Sequence, residues 1–183
     1  MNGLNPAIFI IPVIALILVT ILYRFFLNKA FNKSDYKSLI VKMFILAFVL
    51  NLAWELSQGP LYSGFSYNAE QMSFCALASI ADAVMVVLLY CALTLIYKNP
   101  YWIYEFTVLR IILIMLIGGI GAVLAEAKYL KAGSWSYTDA MPIIPYTNVG
   151  LSPILQFIIL PTLIYFVSGY LQKITKYSSD SYR

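Results

Sequence analysis

Long apolar runs, separated by shorter polar or aromatic stretches, extend over most of the chain. Each run is about 20 residues long, which is the length that an α-helix needs to cross the hydrocarbon core of a bilayer. Gly59-Pro60 and Asn99-Pro100 follow two of the runs and are typical of helix ends. The pattern therefore predicts five helices, near residues 7–27, 39–56, 74–97, 107–127 and 153–171.

Composition agrees with this pattern. Of the 183 residues, 62% are hydrophobic and 11% are charged, with a mean hydropathy of +0.83. A soluble domain needs a more strongly charged surface. We therefore predict an all-α, polytopic transmembrane bundle that forms one domain over residues 1–172, followed by a polar tail over residues 173–183.

The basic residues are distributed unequally between the two ends of the predicted bundle. With the N-terminus outside the cell, ten basic residues lie on the cytoplasmic side and two, Lys128 and Lys131, lie outside. Cytoplasmic loops of membrane proteins carry an excess of Lys and Arg. This bias predicts an inner-membrane protein with its N-terminus outside and its C-terminus in the cytoplasm. The ten are Arg24, Lys29, Lys33, Lys37, Lys42, Lys98, Arg110, Lys173, Lys176 and Arg183.

Three of the eight acidic residues lie within or at the end of apolar runs: Glu55, Asp82 and Glu126. In the predicted topology all three belong to the outer half of the membrane. Carboxyl groups at such depth are costly unless they face a cavity or a partner. Lys42 and Arg110 fall at the opposite membrane face, so we expect them to act as snorkelling anchors and not as partners of the acids.

Polar and small residues accompany the acids at helical spacing. Asn51 and Gln58 share a face with Glu55, and Gly118 and Ala122 precede Glu126 on one stripe. We expect the three acids to converge in one site. A low dielectric disfavours the charged form of a carboxylic acid, so at least one is a candidate proton donor. The alternative is that the acids only form hydrogen bonds that fix helix packing.

The longest loop, residues 128–150, begins just after Glu126 and contains Trp135 and Tyr137. Pro142 and Pro145 stiffen this loop, which suits a cap folded over the site. Interfacial anchoring is the alternative for its aromatic residues. We take the acids as candidate catalytic groups, with six candidate substrate-binding residues: Asn51, Trp54, Tyr62, Trp135, Tyr137 and Gln156.

The chain contains no His, which excludes Ser-His, Cys-His and His-metal sites and leaves only an all-oxygen Mg²⁺ or Ca²⁺ site. Cys75 and Cys91 are interpreted as packing residues. We expect no cofactor, no metal and no nucleic-acid partner. The expected partners are membrane lipids and a hydrophobic small molecule. If the protein is a transporter, a chain this small would need to form a homo-oligomer.

Several short motifs together resemble a largely uncharacterised family of small bacterial multi-pass membrane proteins. They are WE at 54–55, PLY at 60–62, WSY at 135–137, MPIIP at 141–145 and GLSPILQ at 150–156. Glu126 followed by Gly133-Ser-Trp135-Ser-Tyr137 also loosely resembles the membrane carotenoid hydratases and cyclases. The first likeness implies the position of a site, and the second implies chemistry on an isoprenoid.

Two classes of function remain open. In the first, the protein is an enzyme in which Asp82 or Glu126 protonates an alkene, or activates water, on a lipid or isoprenoid. In the second, it is a non-enzymatic binder, carrier or assembly partner whose acids hold a polar group or lock the helices together. An aromatic-lined cavity within reach of the acids would favour the enzyme.

Overall fold

The computed structural model describes residue 8 and residues 10–181, with the backbone alone for residues 175–181. This part of the chain is all-helical, and five of its helices are long and apolar enough to cross a membrane, as the sequence predicts. The helices are α1 (Ile10–Lys29), α2 (Lys33–Gln58), α3 (Ala69–Tyr97), α4 (Val108–Lys131) and α5 (Leu151–Ser181). One-turn 3-10 helices lie at Gly59–Leu61 and Trp102–Tyr104.

Most helices extend beyond their predicted apolar runs. Asn32 caps α2 through its side-chain oxygen, and Asn68 and Thr107 cap α3 and α4 in the same way. The capped first turns of α2 and α3 are polar, so hydropathy alone does not reveal them. The fifth helix also continues through most of the predicted tail, to Ser181. Residue 7, where the first helix was predicted to begin, and residues 182–183 lie outside the described part.

The helices do not pack in chain order. The closely packed pairs are α2 with α3, α4 with α5, α2 with α5, and α1 with α3. Contacts between α3 and α4 are few, although these helices are consecutive in the chain. The bundle therefore follows the order α1, α3, α2, α5, α4, with a gap between the sides of α3 and α4.

One end of the bundle, which we call the basic end, holds the α1–α2 and α3–α4 connections and the last turns of α5. A buried aromatic cluster fills it, in which the Trp102 ring lies 5.9 Å from Tyr90 and 5.6 Å from Tyr165 between centroids. The indole Nε1 of Trp102 donates to Thr94 at 3.1 Å. The opposite end, which we call the loop end, holds the α2–α3 and α4–α5 connections.

Lys42 and Arg110 both have partners at the basic end. The Lys42 amine donates to Gln172 at 2.9 Å, and the Arg110 guanidinium donates to the Trp102 carbonyl at 2.8 Å. Lys42 precedes Glu55 by 13 residues of α2, which is about 20 Å along a helix. Neither basic residue is thus a partner of the three acids, in agreement with the sequence, although Lys42 is hydrogen-bonded to another helix and not only to the membrane surface.

Glycines set the distance between α4 and α5. A Cβ atom at Gly118 would overlap the carbonyl oxygen of Phe157, and one at Gly119 would lie 3.1 Å from the Ile158 side chain. A Cβ atom at Gly121 would meet nothing within 4 Å. Gly118 and Gly119 therefore permit close helix packing, whereas Gly121 faces open space.

We expect Gly118→Ala to lower the free energy of unfolding by roughly 1–3 kcal/mol, because the backbones of α4 and α5 must move apart. Gly121→Ala is the matched control in the same helix, and it should leave stability unchanged or slightly raised because Ala is the better helix former. Denaturation of the purified protein in detergent, followed by circular dichroism, measures both. Equal losses for the two variants would contradict the packing role of Gly118.

Candidate functional site

A cavity of about 1320 Å³ begins at the loop end of the bundle and extends between α3 and α4 as far as Ala92. It is larger than most ligand pockets, which measure about 300–1,000 Å³. Glu55, Asp82 and Glu126 all line it, and so do the aromatic side chains of Tyr62 and Trp135. The structure thus brings together three acids from three helices, as the sequence predicts.

The side-chain amide of Gln156 connects the helices behind this cavity. Gln156 is buried in α5, and its Nε2 lies 2.9 Å from Asn51 Oδ1, 3.2 Å from Glu55 Oε1 and 3.0 Å from Asp82 Oδ2. Its oxygen accepts a hydrogen bond of 3.1 Å from Gln58, which fixes the orientation of the amide. An amide nitrogen carries two hydrogens, so the three acceptors share two donors.

Glu55 and Asp82 form a close pair on either side of this amide. Their carboxyl groups lie within hydrogen-bonding reach of one another. Glu55 Oε1 also accepts a hydrogen bond of 2.9 Å from Gln58, whose own oxygen accepts one from Ser152. Two carboxylates at this separation repel each other strongly unless they share a proton. The arrangement is therefore suited to hold one proton between the two residues.

Glu126 lies at the last turns of α4 and has different partners. One of its oxygens, Oε2, accepts a hydrogen bond of 3.1 Å from the Trp135 indole and a second from the Tyr137 hydroxyl. Glu126 is close enough to interact electrostatically with both Glu55 and Asp82. Two donors on one oxygen favour Glu126 as an acceptor, and both of these donors come from the loop that follows α4.

Residues 132–150, which we call the cap loop, follow α4 at the loop end. The Ser63 amide donates to the Ser136 carbonyl at 2.9 Å, and the Thr138 amide donates to the Leu61 carbonyl at 2.9 Å. These bonds attach the loop to the segment that follows α2. Of the cap loop, residues 132–136 line the cavity, and backbone pairing together with the contacts to Glu126 holds this part beside the acids. Stiffening by Pro142 and Pro145 stays a prediction.

Tyr62 and Tyr137 lie in this covered region with ring centroids 5.3 Å apart. Burial raises the pKa of the Tyr62 phenol, and the negative charge of Glu126 raises it further. Burial also raises the pKa of Tyr137, as does the hydrogen bond to Glu126. Both hydroxyl groups therefore remain protonated at physiological pH. Tyr137 thus stays a hydrogen-bond donor to Glu126.

The other candidate binding residues have different positions. Tyr62, Trp135 and Gln156 line the cavity, whereas Asn51 and Tyr137 contact lining residues from outside it. Trp54 is half-buried against the main hydrophobic core and does not line the cavity. Its position one residue before Glu55 turns it to another face of α2, because adjacent helical residues point about 100° apart.

Sequence reasoning missed the wall that α3 contributes. Ala78, Ala81, Met85, Leu89 and Ala92 line the cavity along one face of this helix. Their spacing of three and four residues is visible in the sequence, but small residues in membrane helices usually indicate close helix packing. Tyr129 was missed too. It lines the cavity, and its hydroxyl donates to the carbonyl of Ile8 at 2.9 Å.

Within residue 8 and residues 10–181, no group of three or more His, Cys, Asp or Glu side chains is arranged to hold a metal ion. Comparison of the chain with protein-family models, with curated proteins and with solved structures finds no match. The resemblances drawn from the motifs therefore stay predictions, and the site must be interpreted from its own geometry.

We expect Gln156→Leu to destabilise the protein more than Asp82→Leu. Loss of the Gln156 amide leaves the Asn51 oxygen and Asp82 without this donor, at roughly 1–3 kcal/mol for each buried polar group. Gln58 retains one acceptor, Glu55, for its two N–H groups. In Asp82→Leu both N–H groups of Gln156 still have acceptors, Asn51 and Glu55. Denaturation in detergent compares the two variants, and a larger loss for Asp82→Leu would show that Gln156 is not the centre of the network.

Proposed function

We propose that this multi-pass membrane protein is an enzyme that transfers protons to and from a carbon–carbon double bond of an isoprenoid or lipid chain. The observation that carries the proposal is the lining of one cavity by three acids and by aromatic rings. A cofactor is not needed for this chemistry, since carboxylic acids supply and remove the proton.

The Glu55–Asp82 pair is the proposed proton source. Its O–H bond breaks as a C–H bond forms at one alkene carbon, which leaves a carboxylate on the protein and a carbocation on the substrate. Glu126, with its two hydrogen-bond donors, is the proposed base. Removal of a proton from a neighbouring carbon restores an alkene and returns the proton to the protein. The net reaction is an isomerisation or cyclisation with no gain or loss of atoms.

The aromatic residues would serve the cationic stage. The faces of Tyr and Trp rings attract a positive charge through their quadrupole. Tyr62 and Trp135 line the cavity with ring centroids 6.3 Å apart in an edge-to-face arrangement. The cap loop above them would limit the access of water, which otherwise captures a carbocation as an alcohol.

A non-enzymatic binder is the second candidate. It is favoured by the hydrogen bonds that the acids already accept from the protein. Glu55 and Glu126 each accept two hydrogen bonds at a single oxygen, which is also what packing alone requires. In that case the cavity holds a hydrophobic molecule without changing it. Proton exchange into the ligand separates the two candidates.

We also propose that the cell membrane holds the protein with the loop end outside and the basic end in the cytoplasm. The charge bias of ten basic residues against two supports this orientation.

Deuterium exchange tests the proposed chemistry. The protein in nanodiscs is incubated in D₂O with the lipids and isoprenoids that co-purify with it, and mass spectrometry follows deuterium at carbon. We expect the wild type to incorporate deuterium. In Asp82→Asn the rate of incorporation should fall at least about a hundredfold, because a general acid contributes about 10²–10⁴ in rate. The amide still accepts from Gln156, so the fold should be retained.

Glu70→Gln is the control for this experiment. Glu70 is an exposed acid in the first turn of α3, outside the cavity lining, and its neutralisation should leave the exchange rate unchanged. Bound ligand without deuterium incorporation by the wild type would refute the enzyme and support the binder.

Cysteine labelling tests the orientation. In a background with Cys75→Ala and Cys91→Ala, an impermeant maleimide applied to intact cells should label Gly3→Cys and not Ser178→Cys. Permeabilised cells should give both signals, which verifies that Ser178→Cys is reactive. Labelling of Ser178→Cys from outside the intact cell would reverse the proposed orientation.

A further inference from the structure

The charges that line the cavity are all of one sign. It is lined by Glu55, Asp82 and Glu126, and none of the described lining residues is Lys or Arg. The nearest basic residues in the sequence, Lys128 and Lys131, are exposed on α4 and do not belong to the lining. A phosphate, diphosphate or carboxylate group would thus meet three carboxyl groups and no cation. In a low dielectric, such repulsion between like charges is strong.

The polar lining is also confined to one end of the cavity. From Asp82 the α3 wall continues to Ala92, ten residues or about 15 Å deeper along the helix. Here the lining is apolar on both sides, with Met85 and Leu89 on α3 and Ile117 on α4. The cavity therefore matches a molecule with a small polar or reactive end and a long apolar chain.

The side between α3 and α4 is the route for such a chain. These helices barely contact one another, and among the described residues of α1 the lining includes Ile11 and Pro12, at its beginning. No described residue of α1 after Pro12 lines the cavity. A chain that extends along this gap lies at the depth of the bilayer core, so the molecule reaches the acids from the membrane and not from water.

We propose that the cavity selects an electrically neutral isoprenoid, with its hydroxyl or alkene end at the carboxyl groups and its chain between α3 and α4, and that it excludes prenyl phosphates and anionic lipids. The choice of an isoprenoid rests on the proposed function. The exclusion of anions rests on the charges of the lining alone.

Matched probes test this selectivity. Tritiated farnesol is bound to the purified protein in neutral detergent, and unlabelled farnesol or farnesyl phosphate is used as the competitor. The two competitors share one chain and differ in the charge of the head group. We expect farnesyl phosphate to compete at least about tenfold more weakly than farnesol. In Glu126→Gln, which removes one negative charge, this difference should shrink.

Two variants of α4 test the position of the chain. Gly121→Leu places a side chain in the empty space of the cavity wall and should weaken farnesol binding by at least about tenfold. Leu124→Phe is the control, because Leu124 is 67% exposed on the outer face of α4 and does not line the cavity. Its larger ring should leave affinity unchanged. Circular dichroism verifies that both variants are folded.

Equal or tighter binding of farnesyl phosphate, unaltered affinity of Gly121→Leu, or no binding of farnesol would each overturn the inference. Its failure is distinguishable from that of the proposed function. Selective farnesol binding without deuterium exchange at carbon leaves the inference standing and removes the enzyme. Deuterium exchange into a prenyl phosphate would support the enzyme and overturn the inference that anions are excluded.

Discussion

The structure depends on one amide. Gln156 in α5 is the donor for Asn51 and Glu55 of α2 and for Asp82 of α3, and it accepts from Gln58. In a membrane interior each of these groups would be costly without a partner. Because α3 and α5 meet the same cluster from α2, their relative rotation about their axes is restricted. This restriction determines which faces of these helices line the cavity.

Close packing supplies the remaining constraints. Gly118 allows α4 to approach the backbone of α5, and this approach brings Glu126 to the same cavity as the acids of α2 and α3. The aromatic cluster around Trp102 fills the basic end. The three acids line the cavity at the loop end, and its apolar continuation reaches Ala92 of α3.

The two groups of acids are held by different means, and this difference is the basis for assigning them different roles. Carboxamide side chains from within the bundle hold Glu55 and Asp82. Glu126 is held by Trp135 and Tyr137 from the cap loop. Any movement of the cap loop would change the partners of Glu126 and leave the Gln156 network intact. The cap loop and the proposed base are thus connected by these two hydrogen bonds.

The sequence by itself determined the five helices, since the length of each apolar run and the chemistry of a bilayer permit little else. It also indicated the three acids, because charged residues in apolar runs are rare, and it indicated the cap through a loop with two prolines after Glu126. Only the tertiary structure decided that α3 and α4 stay apart, that the alanine face of α3 and Gly121 border a cavity, and that Trp54 turns away from it. Small residues have the same pattern whether they face a neighbouring helix or empty space. The difference arises from how all five helices pack together, which no local pattern records.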